Sequence, residues 1–375
     1  MSGKLFAFAV FFSIVILLAF GCQKKSSTPG TIPPGATMRG LVDTVGFSFT
    51  SDQIKEVVKL SEKLETVQLA QNRQKYGAAK WIAGICPHDD HLLAGRVYVH
   101  LFQNLKAKRI VIFGVGHKAL KWGVRDSLIF DSFDFWRGPL GPVRVSGLRD
   151  EVVALLPDTI FTVNNDWQSQ EHSVEGIVPF IQYYLPEAEI VSIVVPYMNW
   201  SRIQLISDLL ADAFAQVVKK HNWKLGDDIA FIFSNDGDHY GDQDWGGRNL
   251  APFGADEQGH RKENELDMSL IRENLTGEIT ADKLRSFCER VWGDDITEYK
   301  IRWCGRFSVP LGLNTVRLLM EKLDKNPLEG FFLRYDDSYD LGKLPLENIG
   351  IGTTAPNNIH HWVGYTTVGY LEKSD

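Results

Sequence analysis

The sequence has no excess of positive charge and contains little cysteine. Its 375 residues include 40 Lys and Arg against 47 Asp and Glu, which gives a formal net charge of −7. No basic stripe stands out, and such stripes are typical of nucleic-acid-binding domains, so we expect no nucleic-acid partner. The four cysteines form no dense framework, but 44% hydrophobic residues are enough to build an ordinary core without disulfides.

The first apolar run, Leu5 to Phe20, has 16 residues and is shorter than the roughly 20 that a spanning helix needs. It follows Lys4 and leads through Gly21 into Cys22, the order of a signal peptide that resembles a bacterial lipobox. We therefore expect residues 1–21 to be a lipoprotein signal peptide and Cys22 to carry the lipid. The alternative is an uncleaved membrane anchor. Both place the domain outside the cytoplasm, in the bacterial cell envelope.

Two further segments follow the predicted lipidation site. Gln23 lacks the acidic retention signal of some Gram-negative sorting systems, which indicates the outer membrane where one exists. Residues 22–37 are rich in Ser, Thr, Pro and Gly, a composition typical of a flexible tether. Residues 38–375 show no internal repeat and no change of composition, so we expect them to form one domain.

Short apolar runs alternate with helical periodicity along this domain. Fully apolar strands between helices are typical of a mostly parallel sheet that helices cover on both faces, so the predicted class is α/β. The last two strands could be antiparallel. The predicted strands are 81–86, 109–113, 190–195, 229–233, 330–335 and 361–371, and the predicted helices lie within 51–76, 91–105, 174–184, 202–220 and 310–323.

Histidines follow three of the predicted strands almost directly. His88 and His117 come after the first two strands, and His239 comes after 229–233 together with Asp236. Because ligands bind beyond the carboxyl ends of parallel strands, we expect these side chains at one edge of the sheet. Histidine with a thiolate or carboxylate is a ligand set for transition metals. Cys304 precedes a predicted helix, whose N-terminus would lower the pKa of the thiol, so it is a further candidate.

The stretches around these residues resemble the Memo family, which includes bacterial members called AmmeMemoRadiSam system protein B, from about residue 82 to residue 365. The resemblance implies a fold related to class III extradiol ring-cleaving dioxygenases, which hold non-haem iron(II). It implies His88, His117 and Cys304 as metal ligands, with His172, Asp236 and His239 around them. The matching stretches are Pro87-His88, Gly114-x-Gly-His117, Trp136-x-x-Pro139-Leu140-Gly141, Glu171-His172-Ser173-x-Glu175, Pro179-Phe180, Ser234-x-Asp236-x-x-His239 and Cys304-Gly305.

The sequence departs from this family in three places, one of which is the start of the domain, residues 39–47, which keeps little of the usual opening. Members usually read Pro-His-Ala-Gly-Tyr where this chain continues after His88 with Asp89, Asp90 and His91. These side chains could add ligands or favour a harder cation. Alternatively, the two acids are solvated or cap the helix that starts near His91. The segment 241–260 is longer than the family pattern and is expected to shape a rim above the site.

The donor set predicts a reactive metal centre, because two imidazoles and a thiolate leave open positions on a metal. We expect first a metal-dependent oxidoreductase that uses iron or copper, with His172 as a proton shuttle. Asp236 and His239, three residues apart on one turn, would orient a ligand or a water. Two alternatives stay open: a non-enzymatic module that binds a peptide, a small ligand or copper, and a hydrolase that uses zinc. The sequence does not identify the substrate.

Overall fold

In the computed structural model of the chain, residues 32–374 are described. The predicted signal peptide, the predicted lipidation site Cys22 and residues 22–31 of the predicted tether lie outside this range. Thr37, the last residue of that tether, donates its backbone N–H to a carboxylate oxygen of Asp134 at 2.7 Å, and the first strand begins at the next residue. No helix within the described range has the length and apolar character to cross a bilayer.

The strands of the described chain form a large sheet and a small one. In chain order they are β1 (Met38–Arg39), β2 (Ala83–Cys86), β3 (Arg109–Val115), β4 (Leu128–Phe130), β5 (Phe135–Gly138), β6 (Gly141–Arg144), β7 (Phe161–Val163), β8 (Glu189–Val195), β9 (Ala230–Ser234), β10 (Asp236–Tyr240), β11 (Gly277–Glu278), β12 (Leu328–Asp337) and β13 (Trp362–Glu372).

The large sheet has the order β11-β12-β13-β2-β9-β3-β8-β4-β7, and β10 pairs with β13 beside this path. Its centre, β2-β9-β3-β8, is parallel. On one side β13, β12 and β11 extend it in antiparallel pairing, and on the other β4 is antiparallel to β8. Strands β1, β5 and β6 form the small sheet. The predicted mostly parallel centre is thereby confirmed.

Helices connect these strands. In chain order they are α1 (Ser51–Leu64), α2 (Thr66–Tyr76), α3 (His91–Phe102), α4 (Ala119–Trp122), α5 (Leu148–Val153), α6 (Asn165–Gln168), α7 (Val178–Tyr184), α8 (Trp200–His221), α9 (Glu257–Leu270), α10 (Ala281–Val291), α11 (Ser308–Lys322) and α12 (Ser338–Leu341), with a π-helical turn at Ile271–Leu275 and a 3₁₀ turn at Glu347–Ile349.

Helices cover both faces of the large sheet because its central strands are apolar on both. In β3, Val111 and Phe113 belong to the hydrophobic layer that contains α8 and α11. The alternate residues Ile110 and Ile112 belong to the layer that contains α1 and α3. Successive strand residues point to opposite faces, so an uninterrupted apolar strand buries side chains on each side. The predicted α/β class, with helices on both faces, is therefore confirmed.

Candidate metal centre

Three neighbouring strands bring the candidate residues to one edge of the sheet. Strand β2 ends two residues before His88, β3 ends two residues before His117, and β9 ends two residues before Asp236. Because β9 lies between β2 and β3 and all three run parallel, their carboxyl ends meet there. The structure thus brings together residues that are about 150 positions apart in the sequence.

Three side chains at this edge could hold a metal ion. One donor atom each of His88, His117 and Cys304 lies within 4.8 Å of the other two. His88 is 1% exposed, and its Nε2 makes no hydrogen bond among the described residues, although Asp236 Oδ2 lies 3.2 Å from it. A buried nitrogen left without a partner costs free energy, and metal coordination removes that cost. Two imidazoles and a thiol are also a usual donor set for transition metals. The residues present therefore fit a metal ion.

The orientation of His88 is set by a short chain of hydrogen bonds. The Ser234 hydroxyl donates to the backbone oxygen of Ser173 at 2.7 Å, and its Oγ lies 2.8 Å from His88 Nδ1. Because the hydroxyl proton is already used, His88 Nδ1 must be the donor in this second bond. The proton of the neutral ring is then on Nδ1, and Nε2 keeps the lone pair that a metal needs. Burial lowers the pKa of His88, which favours this neutral form.

The orientation of His117 is set by Glu171, which is 1% exposed. Glu171 Oε1 accepts hydrogen bonds from His117 Nδ1 at 2.8 Å, from the His172 N–H at 2.9 Å and from the Ser173 N–H at 3.0 Å. Its Oε2 accepts the backbone N–H of His117 at 2.9 Å. Burial raises the pKa of Glu171, but His117 and the N–H donors outweigh burial and hold it at about 2. A carboxylate behind a ligand histidine fixes which ring nitrogen faces the metal.

Cys304 is held beside the strand ends by backbone contacts. Its N–H donates to the Asp236 carbonyl at 3.1 Å, and the N–H of Gly305 donates to the Asn235 side chain at 2.9 Å. Burial raises the pKa of the Cys304 thiol. The expectation that a helix N-terminus lowers it is therefore wrong. Helix α11 begins at Ser308, four residues after Cys304, and the effect of a helix terminus falls off within its first turn, so Cys304 lies outside its reach.

The pKa values of two neighbouring imidazoles are shifted in opposite directions. Desolvation lowers the pKa of His117, but the Glu171 carboxylate and the Cys304 contact outweigh it and raise the pKa to about 10. Desolvation and then the charge on His117 lower the pKa of His172 to about 4. The two rings stack with their centroids 4.4 Å apart. His172 is therefore neutral at neutral pH beside the candidate ligands.

Asp236 and His239 lie on strand β10, so the prediction that they share one turn is wrong. Residues three apart on a regular strand point to opposite faces, but the register of β10 against β13 shifts between these two residues. This bulge lets both side chains line the same cavity. Asp236 Oδ2 lies 3.2 Å from His88 Nε2, and His239 Nε2 lies 3.5 Å from Cys304 Sγ. Burial and then the charge of Asp89 raise the pKa of Asp236.

The side chains after His88 are bound to other protein groups. Asp90 stands at the N-cap position of α3, but its carboxylate makes no capping bond and accepts the N–H of Thr354 at 2.5 Å. Asp89 accepts the hydroxyl of Tyr365, also at 2.5 Å. His91 Nε2 lies 2.8 Å from the carbonyl of Gly176. The prediction that the Asp90 side chain caps the helix is therefore wrong. None of the three side chains belongs to the donor group of His88, His117 and Cys304.

A cavity of about 430 Å³ opens beside the donor group. Trp245, from the long segment 241–260, forms part of its wall, as does His361. From the sequence, His360 and His361 come just before the last strand, where they could rim the site, but neither is among the candidate site residues. Strand β13 runs antiparallel to β2, so the residues at its start lie at the carboxyl edge of the parallel strands. An antiparallel last strand is therefore the feature that would place His361 at the site. The cavity is lined by Val42, Asp43, Phe47, His88, Asp89, Asp90, His117, His172, Asp236, His239, Trp245, Cys304, Thr354, Ala355, His361 and Val363.

Comparison with known proteins gives one consistent result. The family model for Memo-like proteins matches residues 49–353. A MEMO1 family protein of Pyrobaculum arsenaticum is 29% identical over 203 residues, which is 52% of this chain and 66% of the relative, just under two thirds. MEMO1 family proteins of Pyrococcus abyssi and Thermococcus kodakarensis are each 27% identical, over 270 and 267 residues. These two matches each cover 70% of this chain, and 82% and 81% of the relatives. The names of these relatives give a family and no activity.

Proposed function

This chain belongs to the Memo-like protein family, and we propose that it is a metal-dependent oxidoreductase that acts on a small molecule in the cavity. His88, His117 and Cys304 would hold the metal. The observation that carries the proposal is the convergence of three donor atoms at the wall of an open cavity, among them the buried Nε2 of His88, which makes no hydrogen bond within the described residues. The redox chemistry itself would come from bound iron or copper.

The protein side chains supply orientation and proton transfer. Glu171 and Ser234 turn the two ligand imidazoles so that one nitrogen of each is available. His172 stacks on His117 and lines the cavity without belonging to the ligand set, so it is placed to accept a proton from a bound molecule. Asp236 donates no ligand atom in this assignment and holds the backbone of His88 through a 2.8 Å hydrogen bond.

Two observations favour catalysis over simple binding or storage. The donor group has three members, so coordination positions stay open for a reacting molecule. The adjoining cavity is lined by His172 and Asp236, which supply an acceptor and a carboxyl group. A binding module that takes up a peptide, a small ligand or copper would need neither group at this position.

A zinc-dependent hydrolase is the second candidate. Asp236 lines the cavity, and its Oδ2 lies 3.2 Å from Nε2 of His88, so a carboxylate that hydrolysis could use as a base stands beside the donor group. The identity of the metal decides between the two candidates.

The test is elemental analysis of the protein purified without added metal. We expect roughly one iron or copper per chain in the wild type and its loss in Cys304→Ser. Cys288→Ser is the matched control, because Cys288 is a buried free thiol in α10, outside the cavity lining, and should keep the metal. Zinc instead would favour the hydrolase. No metal in the wild type, or full metal content in Cys304→Ser, would refute the proposed centre.

We also propose that a lipid on Cys22 tethers the protein to the cell envelope. The support is the order of Lys4, the apolar run and Gly21 before this cysteine. One or two acyl chains bind membranes through the hydrophobic effect, without a spanning helix.

A further inference from the structure

The small sheet of β1, β5 and β6 has one covered face and one open face. Successive strand residues point to opposite faces of a sheet. The inward residues Trp136 and Val143 are buried in the hydrophobic layer that contains α1 and α3. The alternate residues point outward: Arg137 and Arg144 are exposed, and Met38 is 40% exposed. We call the surface formed by Met38, Arg137 and Arg144 the outer face of the small sheet.

Strand pairing places these outward residues side by side. Phe135 pairs with Met38 of β1 on one side and with Arg144 of β6 on the other. Directly paired residues share a face of the sheet, and Arg137, two residues after Phe135, lies on that face too. The Arg144 guanidinium lies 5.0 Å from the centroid of the Phe135 ring. Leu140, in the turn between β5 and β6, is 39% exposed and adds apolar surface at the end of this hairpin.

The outer face carries positive charge that no ion pair neutralises. Within residues 32–374, neither Arg137 nor Arg144 forms a salt bridge. Asp134, the residue before β5, already accepts the backbone N–H of Thr37 at 2.7 Å and its hydroxyl at 2.9 Å. A guanidinium binds phosphate oxygens through two parallel N–H groups. Two such groups beside exposed apolar side chains fit a phosphate-rich surface with an apolar interior, which is an anionic lipid bilayer.

The predicted tether ends on this face. Met38 is the first residue after the tether and follows Cys22 by 16 positions. A flexible chain of this length has a root-mean-square end-to-end distance of about 20 to 24 Å. A lipid on Cys22 would therefore keep the outer face close to the bilayer, at an effective concentration in the millimolar range, so a weak attraction is enough to dock it. Lys24 and Lys25 add positive charge between the lipid and the face.

We propose that the outer face of the small sheet docks on the anionic phospholipid surface of the membrane to which the protein is anchored. Arg137 and Arg144 contact lipid phosphates, and Met38 lies at the interface. This inference rests on the proposed lipid on Cys22 and is independent of the metal centre. It adds a fixed orientation of the domain on the membrane, whereas the tether alone would leave the domain free to rotate.

The test is hydroxyl-radical footprinting of the full-length protein, purified from bacterial membranes and reconstituted into two kinds of vesicle. One kind is phosphatidylcholine alone, and the other is an equal mixture of phosphatidylcholine and phosphatidylglycerol. We expect oxidation of Met38 and Leu140 to be at least about threefold lower on the anionic vesicles, and the difference to disappear at high salt. Phe332, which is 37% exposed on β12 near the opposite edge of the large sheet, should be oxidised equally on both.

Two variants isolate the contribution of charge. Each arginine near an anionic surface strengthens binding about fivefold, so the double variant Arg137→Gln/Arg144→Gln should weaken docking about 25-fold and lose the protection of Met38. Arg261→Gln is the matched control, because Arg261 is an exposed arginine of α9 that forms no salt bridge within the described chain. Protection that persists in the double variant, or an equal loss in the control, would overturn the role of the two arginines.

Mass spectrometry of the N-terminal peptide separates the two proposals. If Cys22 carries the lipid and Met38 is oxidised equally on both kinds of vesicle, the docking fails and the lipid anchor stands. If Cys22 carries no lipid, the anchor fails and the docking fails with it. Protection of Met38 in detergent solution that increases with protein concentration would instead place a second copy of the chain on this face and overturn the docking on lipid.

Discussion

Replacing Glu171 with glutamine perturbs the metal centre without touching a ligand. Three N–H groups donate to Oε1 of Glu171, and they can keep an acceptor if the amide oxygen of the glutamine takes the place of Oε1. The amide nitrogen then lies where Oε2 was, and it faces the backbone N–H of His117, which is also a donor. The single atom change therefore leaves one donor opposite another and removes the negative charge beside the His117 ring.

We expect this change to lower metal affinity by about 10- to 100-fold, the usual effect of losing the group that orients a ligand histidine. That loss corresponds to roughly 1.4 to 2.7 kcal/mol. The assay is competition for zinc(II) or iron(II) against a chromophoric chelator, with circular dichroism to show that the variant is folded.

Glu175→Gln is the matched control for this experiment. Glu175 is also a buried acid of the same segment, but it pairs with Arg39 and accepts the N–H groups of Val42 and Asp43. It should lose stability and keep metal affinity. A folded Glu171→Gln protein with wild-type affinity would refute the argument that Glu171 sets the His117 ring, and so would an equal loss of affinity in Glu175→Gln.

Two further predictions concern stability and location. Burial raises the pKa of Glu65, but His100, Arg334 and Arg96 outweigh it and hold it at about 2, below the ordinary 4.5. The ionised Glu65 side chain therefore stabilises the folded protein by roughly 3 kcal/mol above about pH 4.5, and this stabilisation is lost as the pH falls towards 2. Glu65→Gln should unfold at a lower temperature than the wild type at neutral pH, and its unfolding temperature should fall less on acidification. Unfolding temperatures of wild type and variant that fall in parallel with pH would contradict this. Cys22→Ser should move the protein from the membrane fraction to the soluble fraction, and an unchanged distribution would rule out the lipid anchor.

The parallel centre of the fold could be predicted because its strands are apolar without interruption. The apolar runs predict strands that are buried on both faces, and the structure buries them. They lie around Ile85, Val111, Ile193 and Ile232. The ends of strands and helices could be predicted less closely, because they depend on contacts with residues far away in the sequence. Strand β3 continues to Val115, beyond the predicted end, because its last residues pair with β8.

Strand β10 could not be predicted from local sequence. Its residues, Asp-Gly-Asp-His-Tyr, have neither apolar alternation nor strong strand propensity. It exists because β13 pairs with it, and that pairing joins residues more than 120 positions apart. The same long-range pairing brings His361 to the cavity. Histidines that directly follow apolar strands could be placed from sequence, whereas those positioned by distant partners required the structure.

The turn 171–173 links the two ligand histidines, although they come from different strands. Its Glu171 side chain orients His117, and the Ser173 carbonyl holds the hydroxyl that orients His88. The side chains that shape the far wall, Trp245 and His361, come from other segments. The candidate metal donors and the far wall of the cavity are therefore shaped by different segments of the chain. Exchange of segment 241–256 with that of another family member should alter the far wall and leave metal affinity in place.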